Sequence, residues 1–423
     1  MRVLWLSSNP SLYKRNNAPN GYNGEGWISS LQSVVEKTYP EINLGIAFLL
    51  PKKENKIQEG QVTYYPILQK KKSIIEKQIY YWGGYKYKTD DYLVEMLEVI
   101  KDFKPDLIHL FGLESPFVYI LEHTNTPVIV HIQGILNLCR NAFYPQGMNR
   151  FTFLFKHLSV NEWFIHNGYN FAMDNMSCRS KQEIISFQNT WYFMGRTEWD
   201  FQISRLLSPR SKYFHVNEIL RDVFYTEKPW LCPQNDTFII TSTISQTIYK
   251  GLDTILKTAQ LLTKYSTLKF EWRVVGVNEN SKYVRFFEKN ERIKSGEVNV
   301  NYMGVLNAVQ ICENMQQSNV YVHPSYIDNS PNALCEAQLV GIPVIATYVG
   351  GIPSLVAHKE NGLLVPANAP HETAYWLQYL YNNPDVMLQL GKKARETAMV
   401  RHSKEKIVDD VIQVYEKLIP LMA

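Results

Sequence analysis

Cysteine is scarce and poorly placed for cross-linking. The 423-residue chain has five (Cys139, Cys178, Cys232, Cys312 and Cys335), none of them in a Cys-x-x-Cys pair. A disulfide scaffold and a zinc ribbon are thereby excluded, and a reducing compartment is expected. No Asp-x-Asp pair and no His, Cys or acidic cluster with metal-ligand spacing occurs, so the expected chemistry is metal-independent. The run Met1-Arg2-Val3-Leu4-Trp5-Leu6-Ser7-Ser8 is too short for a signal peptide. No later stretch approaches the roughly 18–20 apolar residues that cross a bilayer. A cytoplasmic protein is expected, soluble or peripheral at the inner membrane face. Neither sign of charge dominates: 44 Lys and Arg against 40 Asp and Glu leave +4, too mild to imply nucleic acid. After Ser7-Ser8-Asn9-Pro10, where a dinucleotide enzyme wants Gly-x-Gly-x-x-Gly, no such pattern appears. That counts against a dehydrogenase.

What is present is core-forming material, with 45% hydrophobic and 20% charged residues. At about 100–200 residues per domain the length suggests two or three domains. Val3–Ser7, Leu44–Leu50, Val62–Pro66, Leu107–Phe111 and Val128–Ile132 read as strands, with Trp27–Thr38 and Asp90–Phe103 as helices between them. Strands that are apolar almost throughout and alternate with helices predict a parallel sheet covered on both faces. After Trp230-Leu231-Cys232-Pro233 the pattern restarts with Phe238–Thr241, a helix over 252–264, Trp272–Val275, Val298–Tyr302, a helix near Val309–Gln317, Val320–His323 and Val344–Ala346. The class is α/β, with two Rossmann-like domains facing a central cleft. The expected boundaries are 1–228, completed by a C-terminal helix within 404–423, and 229–403. The middle segment, about 135–225, is placed in the first domain. It carries aromatic helical stretches (Phe151–His157, Asn161–Phe164) and strand-like Trp191–Met194 and Tyr213–Val216.

Residues 51–88 hold nine lysines against three glutamates, a local +6. Tyr64, Tyr65, Tyr80, Tyr81, Trp82, Tyr85 and Tyr87 are interleaved. A solvated loop and a docking patch for anionic lipid headgroups are both open readings.

The most informative stretch is His323-Pro324-Ser325-Tyr326-Ile327-Asp328-Asn329-Ser330-Pro331-Asn332-Ala333-Leu334-Cys335-Glu336-Ala337. It leaves a strand and enters a helix that Gly341 ends. Ser330 suits the N-cap and Pro331 the first helical position. The amides of Asn332 and Ala333 would then be free at a helix start, where the dipole favours an anion such as a diphosphate. Asp328 and Glu336 bracket that start, placed to take hydroxyls of a hexose on one side and a ribose on the other.

These residues resemble the signature of retaining glycosyltransferases of the GT-B fold, the family 4 group (glycosyl transferases group 1). Two acids separated by seven residues are its hallmark. The downstream Gly341-Ile342-Pro343-Val344-Ile345-Ala346, Gly350-Gly351-Ile352-Pro353 and Asn361-Gly362-Leu363-Leu364-Val365 fit in order. Asp328 departs from the family's usual Glu. The resemblance implies a nucleoside-diphosphate sugar as donor substrate, no cofactor, and a sugar or lipid-linked acceptor in surface polysaccharide or glycolipid assembly. Peripheral contact with an anionic membrane through 51–88 stays the alternative to a solvated loop, and the mild net charge gives no expectation of nucleic acid. Donor contacts fall on Asn329, Ser330, Asn332, Ala333, Leu334 and Glu336. Asp328 is to hold the sugar hydroxyls.

Ile248-Tyr249-Lys250-Gly251-Leu252-Asp253 resembles the family's Lys-Gly, so Lys250 is to neutralise the leaving diphosphate. The family's preceding Arg is absent from Thr241-Ser242-Thr243-Ile244-Ser245. Asn20-Gly21-Tyr22-Asn23-Gly24-Glu25-Gly26 resembles the glycine-rich loop, giving Gly24 and Gly26 to the donor. His109 and His131 both end predicted strands, and His131 sits where the family places a histidine near the reacting carbon. Gly195-Arg196-Thr197-Glu198-Trp199-Asp200 is distinctive without an assigned chemistry; Arg196 is to reach the cleft or pair with an acid. The rival readings are a nucleotide-sugar epimerase or inverting transferase on the same fold, and a non-catalytic sugar- or nucleotide-binding protein.

Overall fold

The computed structural model describes residues 1–14, 26–70, 73, 75–76, 79, 92–149, 151 and 169–422. Gly24, the aromatic stretches beyond 151 and most of the 71–91 segment lie outside them. Two compact units emerge, one from 1–140, 159–219 and 403–423 and one from 141–158 and 220–402.

Among the described residues the first unit has eight strands: β1 (Arg2–Ser7), β2 (Asn43–Leu50), β3 (Ile57–Glu59), β4 (Val62–Leu68), β5 (Leu107–Phe111), β6 (Val128–His131), β7 (Tyr192–Gly195) and β8 (Lys212–His215). They form one sheet in the order β3-β4-β2-β1-β5-β6-β7-β8, parallel except for edge strand β3. Alternation within β1 explains why both faces must be covered. Val3 and Trp5 enter one core, Leu4 and Leu6 the other. Helix Trp27–Thr38 covers the first face with Trp27, Ile28, Leu31 and Val35, and helix Leu93–Phe103 covers the second with Met96, Val99 and Phe103. The C-terminal helix Lys404–Leu418 joins the first face through Ile407, Val408, Val411, Ile412 and Tyr415. Its Tyr415 hydroxyl accepts from Trp5 Nε1 at 3.1 Å and meets His109 Nδ1 at 2.6 Å.

The second unit has β9 (Phe238–Thr243), β10 (Phe270–Val275), β11 (Val300–Gly304), β12 (Val320–His323), β13 (Val344–Thr347) and β14 (Leu363–Val365). All six are parallel, in the order β11-β10-β9-β12-β13-β14. This is the doubly wound order, which reverses between β9 and β12. In sheets of this order ligands bind beyond the carboxyl ends of the strands at that switch point.

Several expectations change. The first unit stops at Ile219 rather than at 228, because the residues after it are bound into the second. Trp230 N–H donates to Val340 O at 2.8 Å, and the Tyr225 hydroxyl donates to His402 O at 2.9 Å. Residues near 143 also belong to the second unit, with the Phe143 ring 6.4 Å from that of Tyr249. Helix Tyr169–Gln188 was not anticipated; its weakly amphipathic run gives little periodic signal. The Gly195–Asp200 motif proves to be a helix start. The Thr197 hydroxyl accepts from Asp200 N–H while Asp200 Oδ1 accepts from Thr197 N–H, a capping box opening helix Glu198–Leu207. Thr197→Ala should therefore destabilise the protein by about 1 kcal/mol, with Thr197→Ser near wild type. Equilibrium denaturation checks this, and equal stability of the Ala variant would refute the capping role.

Candidate functional site

In the second unit the chemistry gathers at the switch between β9 and β12. After β9 the chain makes a short turn, Ile248–Lys250, and enters helix Leu252–Tyr265 through Gly251. Gly251 has φ +78°, and a Cβ there would lie 2.2 Å from Pro324 O. Only glycine lets the two loops touch. Tyr326 N–H donates to Tyr249 O at 2.8 Å, closing the contact from the other side. Lys250 is thus delivered to Asp328. Its ammonium lies 2.6 Å from Asp328 Oδ2, which His323 Nε2 also meets at 3.0 Å. Burial would push the Asp328 pKa up, but Lys250 and His323 overturn that and hold the carboxyl well below the ordinary aspartate range.

The third loop comes from β13. Gly351 N–H donates to Asp328 O at 3.0 Å. Gly350 has φ +53°, and a Cβ there would stand 1.9 Å from that same carbonyl. The Gly350-Gly351 pair is a mould for the Asp328 backbone.

Helix Asn332–Val340 starts one residue later than expected. Pro331, at φ −71° and ψ 115°, is the N-cap and offers no side-chain acceptor. Ser330 is displaced from the cap; its hydroxyl meets Cys335 Sγ at 3.8 Å. Leu334 N–H is spent on Pro331 O at 3.0 Å and its side chain is buried in the core. The helix-start amides without an intrahelical acceptor are therefore those of Asn332 and Ala333. Asn329 is buried in the turn before them. Gly341 closes the helix at φ +89°, as expected.

Glu336, only 2% exposed, faces Arg221, which the sequence reading missed. Nothing in the local sequence around 221 marks it, since the contact spans 115 residues. Burial pushes the Glu336 pKa up and Arg221 pulls it back.

In the first unit His131 ends β6, whereas His109 lies inside β5 rather than at its end. The two rings stack at 5.4 Å and 8°, and Trp27 meets His131 edge-on at 4.7 Å. His131 is completely buried, and that burial drives its pKa well below the ordinary value. Arg196 does pair with an acid: Nε lies 3.7 Å from Glu218 Oε2. Its guanidinium also donates to Gln133 O at 3.1 Å and lies 5.1 Å from the Trp27 ring centroid. It braces the turn after His131. Gly26 caps helix Trp27–Thr38 with open space beside it. Glu114, just after β5, was passed over; burial pushes its pKa up to about 7.

The lysine-rich segment is less free than its composition suggests. Lys56 pairs with Asp102 at 2.6 Å and Lys70 with Glu95 at 3.1 Å. Tyr64 and Tyr65 are core residues. Lys52 and Lys53 are exposed. Lys71, Lys72, Lys77, Lys86, Lys88, Ile74, Tyr80, Tyr81, Trp82, Tyr85 and Tyr87 lie outside the described residues. Among the described residues no helix is long and apolar enough to cross a membrane.

With this geometry in hand, comparison with known proteins bears on the second unit. Residues 231–397 match the glycosyl transferases group 1 family. The group 1 match contains Lys250, Asp328, Glu336 and the Gly350-Gly351 mould. An uncharacterized glycosyltransferase of Haemophilus influenzae is 32% identical over 165 residues, 38% of this chain and 44% of the relative. The chain thus spans less than half the length of that curated relative. Among solved structures, sucrose-phosphate synthase of Thermosynechococcus elongatus superposes with a TM-score of 0.69 at 15% identity, covering 99% of both chains. HepE of Anabaena in complex with UDP-glucose gives 0.62 at 13% identity, covering 99% of this chain and 100% of that one. The fold is GT-B, with two Rossmann-like domains.

The Asp328 ion pair carries a pH signature. Its folded pKa lies below that of an unfolded aspartate, about 3.9. Its stabilisation is therefore fully present above pH 4 and is lost as pH falls through the lower folded value. Asp328→Asn should cost roughly 2 kcal/mol at pH 7, with the gap to wild type narrowing below about pH 4. Denaturation at pH 7 and pH 3 checks this; a pH-independent gap would contradict the ion pair.

Proposed function

We propose that the chain is a retaining glycosyltransferase of the family 4 group, moving a sugar from a nucleoside-diphosphate sugar to an acceptor. One observation carries the reading: a cation, a helix start and two acids converge at the switch point of a doubly wound sheet, inside the group 1 match. Lys250 and the amides of Asn332 and Ala333 take the diphosphate. Glu336 accepts hydrogen bonds from the ribose, and Asp328 takes sugar hydroxyls on the other side. UDP-glucose in the Anabaena neighbour supports a nucleotide-sugar donor.

The reaction breaks the bond between the anomeric carbon and the diphosphate oxygen and forms one to the acceptor oxygen on the same face. The leaving diphosphate takes the acceptor's proton. Charge accumulates on that diphosphate as the bond breaks, so a fixed cation and fixed amides stabilise the transition state more than the ground state. Asp328 anchors the Lys250 ammonium at the loop end, leaving its other two N–H donors for phosphate oxygens. By the family resemblance alone, His131, Gly24 and Gly26 are offered as further residues toward the donor. The reading needs no cofactor and no metal.

Calorimetry with a panel of nucleoside diphosphates and their sugars tests the donor assignment. Glu336→Gln should weaken nucleotide and donor alike by about 10- to 100-fold, since ribose is common to both and a charge-assisted hydrogen bond contributes roughly 1.5–3 kcal/mol. Unchanged affinity would sink the assignment.

A lipid-linked acceptor at the inner membrane face, in surface polysaccharide or glycolipid assembly, belongs to the same proposal. The segment 51–88 would dock there through lysine charge. Replacing Lys70, Lys71 and Lys72 by Ser should weaken binding to anionic liposomes by about 3 kcal/mol at most, and by less at high salt. Wild-type protein that ignores such liposomes at low salt would leave only a solvated face.

A further inference from the structure

Glu336 is not left to meet a ligand by itself. Arg221 Nε donates to Oε1 at 2.7 Å and a terminal nitrogen of the same guanidinium donates to Oε2 at 2.7 Å. Such a fork fixes the plane of the carboxylate and uses one acceptor position on each oxygen. A carboxylate has about four such positions, so two remain.

The arginine is itself held. Its guanidinium carbon lies 5.0 Å from the centroid of the Phe224 ring, which is fully buried. Leu220 N–H donates to the Tyr225 hydroxyl at 3.0 Å, and that hydroxyl donates to His402 O at 2.9 Å. Trp230 N–H reaches Val340 O at 2.8 Å, at the far end of the helix that carries Glu336. The segment around Arg221 is tied to the same helix its side chain grips. A fork on so fixed a base is a brace rather than a moving gate.

We propose that Arg221 is a positioning residue for nucleotide recognition, holding the Glu336 carboxylate so that its two remaining lone-pair positions accept the ribose 2′- and 3′-hydroxyls. The inference rests on the donor reading above. Burial disfavours the charged form of Glu336, and Arg221 is the cation that opposes this. Without it the carboxylate would lose the fork that fixes its plane and the cation that offsets its burial, and with them its direction toward the sugar.

The test compares UDP, GDP, ADP and CDP with their 2′,3′-dideoxy counterparts by calorimetry, on the full chain. Wild type should prefer the ribonucleotide that it binds by about tenfold or more. Arg221→Met should lose most of that preference while its affinity for the dideoxy form stays nearly unchanged. Arg221→Lys, which keeps a charge without the fork, should fall between them. A purely structural arginine would weaken both forms together and leave the preference intact, which overturns the inference. Should the Met variant fail to fold, the Lys variant decides: an undiminished preference again overturns it. A wild-type protein with no ribose preference overturns the Glu336 assignment itself, and the inference with it.

Discussion

The carboxylate of Asp328 is the knot in the second unit. Through its side chain it holds Lys250, from the loop after β9, and His323, from the end of β12. Through its carbonyl it holds Gly351, from the loop after β13. Three loops that leave neighbouring strands are thereby fixed to one residue. The close approaches this demands explain why glycines stand at 251 and 350, where positive φ and a neighbouring carbonyl exclude any side chain. A charge partly buried in this way is tolerated because its partners satisfy it. The outcome is a cation held at a fixed place beside a helix start, which is what a leaving diphosphate requires.

The helix start shows why the cap matters for chemistry. A serine N-cap would spend its oxygen on one of the first amides. Proline at that position spends none, so the amides of Asn332 and Ala333 stay available. Glu336 lies a turn further along the same helix, with Arg221 gripping it across 115 residues of sequence. In the proposed donor reading, phosphate and ribose contacts share a single element, whose far end is tied back through Trp230.

How much of this the sequence made legible depends on range. Strands buried on both faces announce themselves as apolar runs, and helices Trp27–Thr38 and Lys404–Leu418 match their apolar periodicity. The Asp328–Glu336 spacing and the Gly350-Gly351 pair were readable because they are local. Ser330 was misplaced by one residue, since Ser-Pro at a helix entry fits two registers and tertiary packing selects one. Thr197 and Asp200 carried a capping box that a four-residue window could have found, with Asp in place of the usual Glu or Gln at the third position. Arg221 could not be found that way. Its partner is distant in sequence, and an arginine among loop residues carries no periodic or spacing signal. The lysine-rich segment errs in the other direction, because composition counts Tyr64 and Tyr65 as surface while burial withdraws them, and an exposed Lys56 already has its partner in Asp102.

The central claim is that this site activates a nucleotide sugar for transfer on the same face of the ring. The most direct measurement is NMR of the anomeric configuration of the product formed from the donor that the panel selects, with a simple sugar or lipid acceptor. The account predicts a product with the donor's configuration retained and release of the nucleoside diphosphate. A product of inverted configuration, or a donor epimerised without transfer, would contradict it.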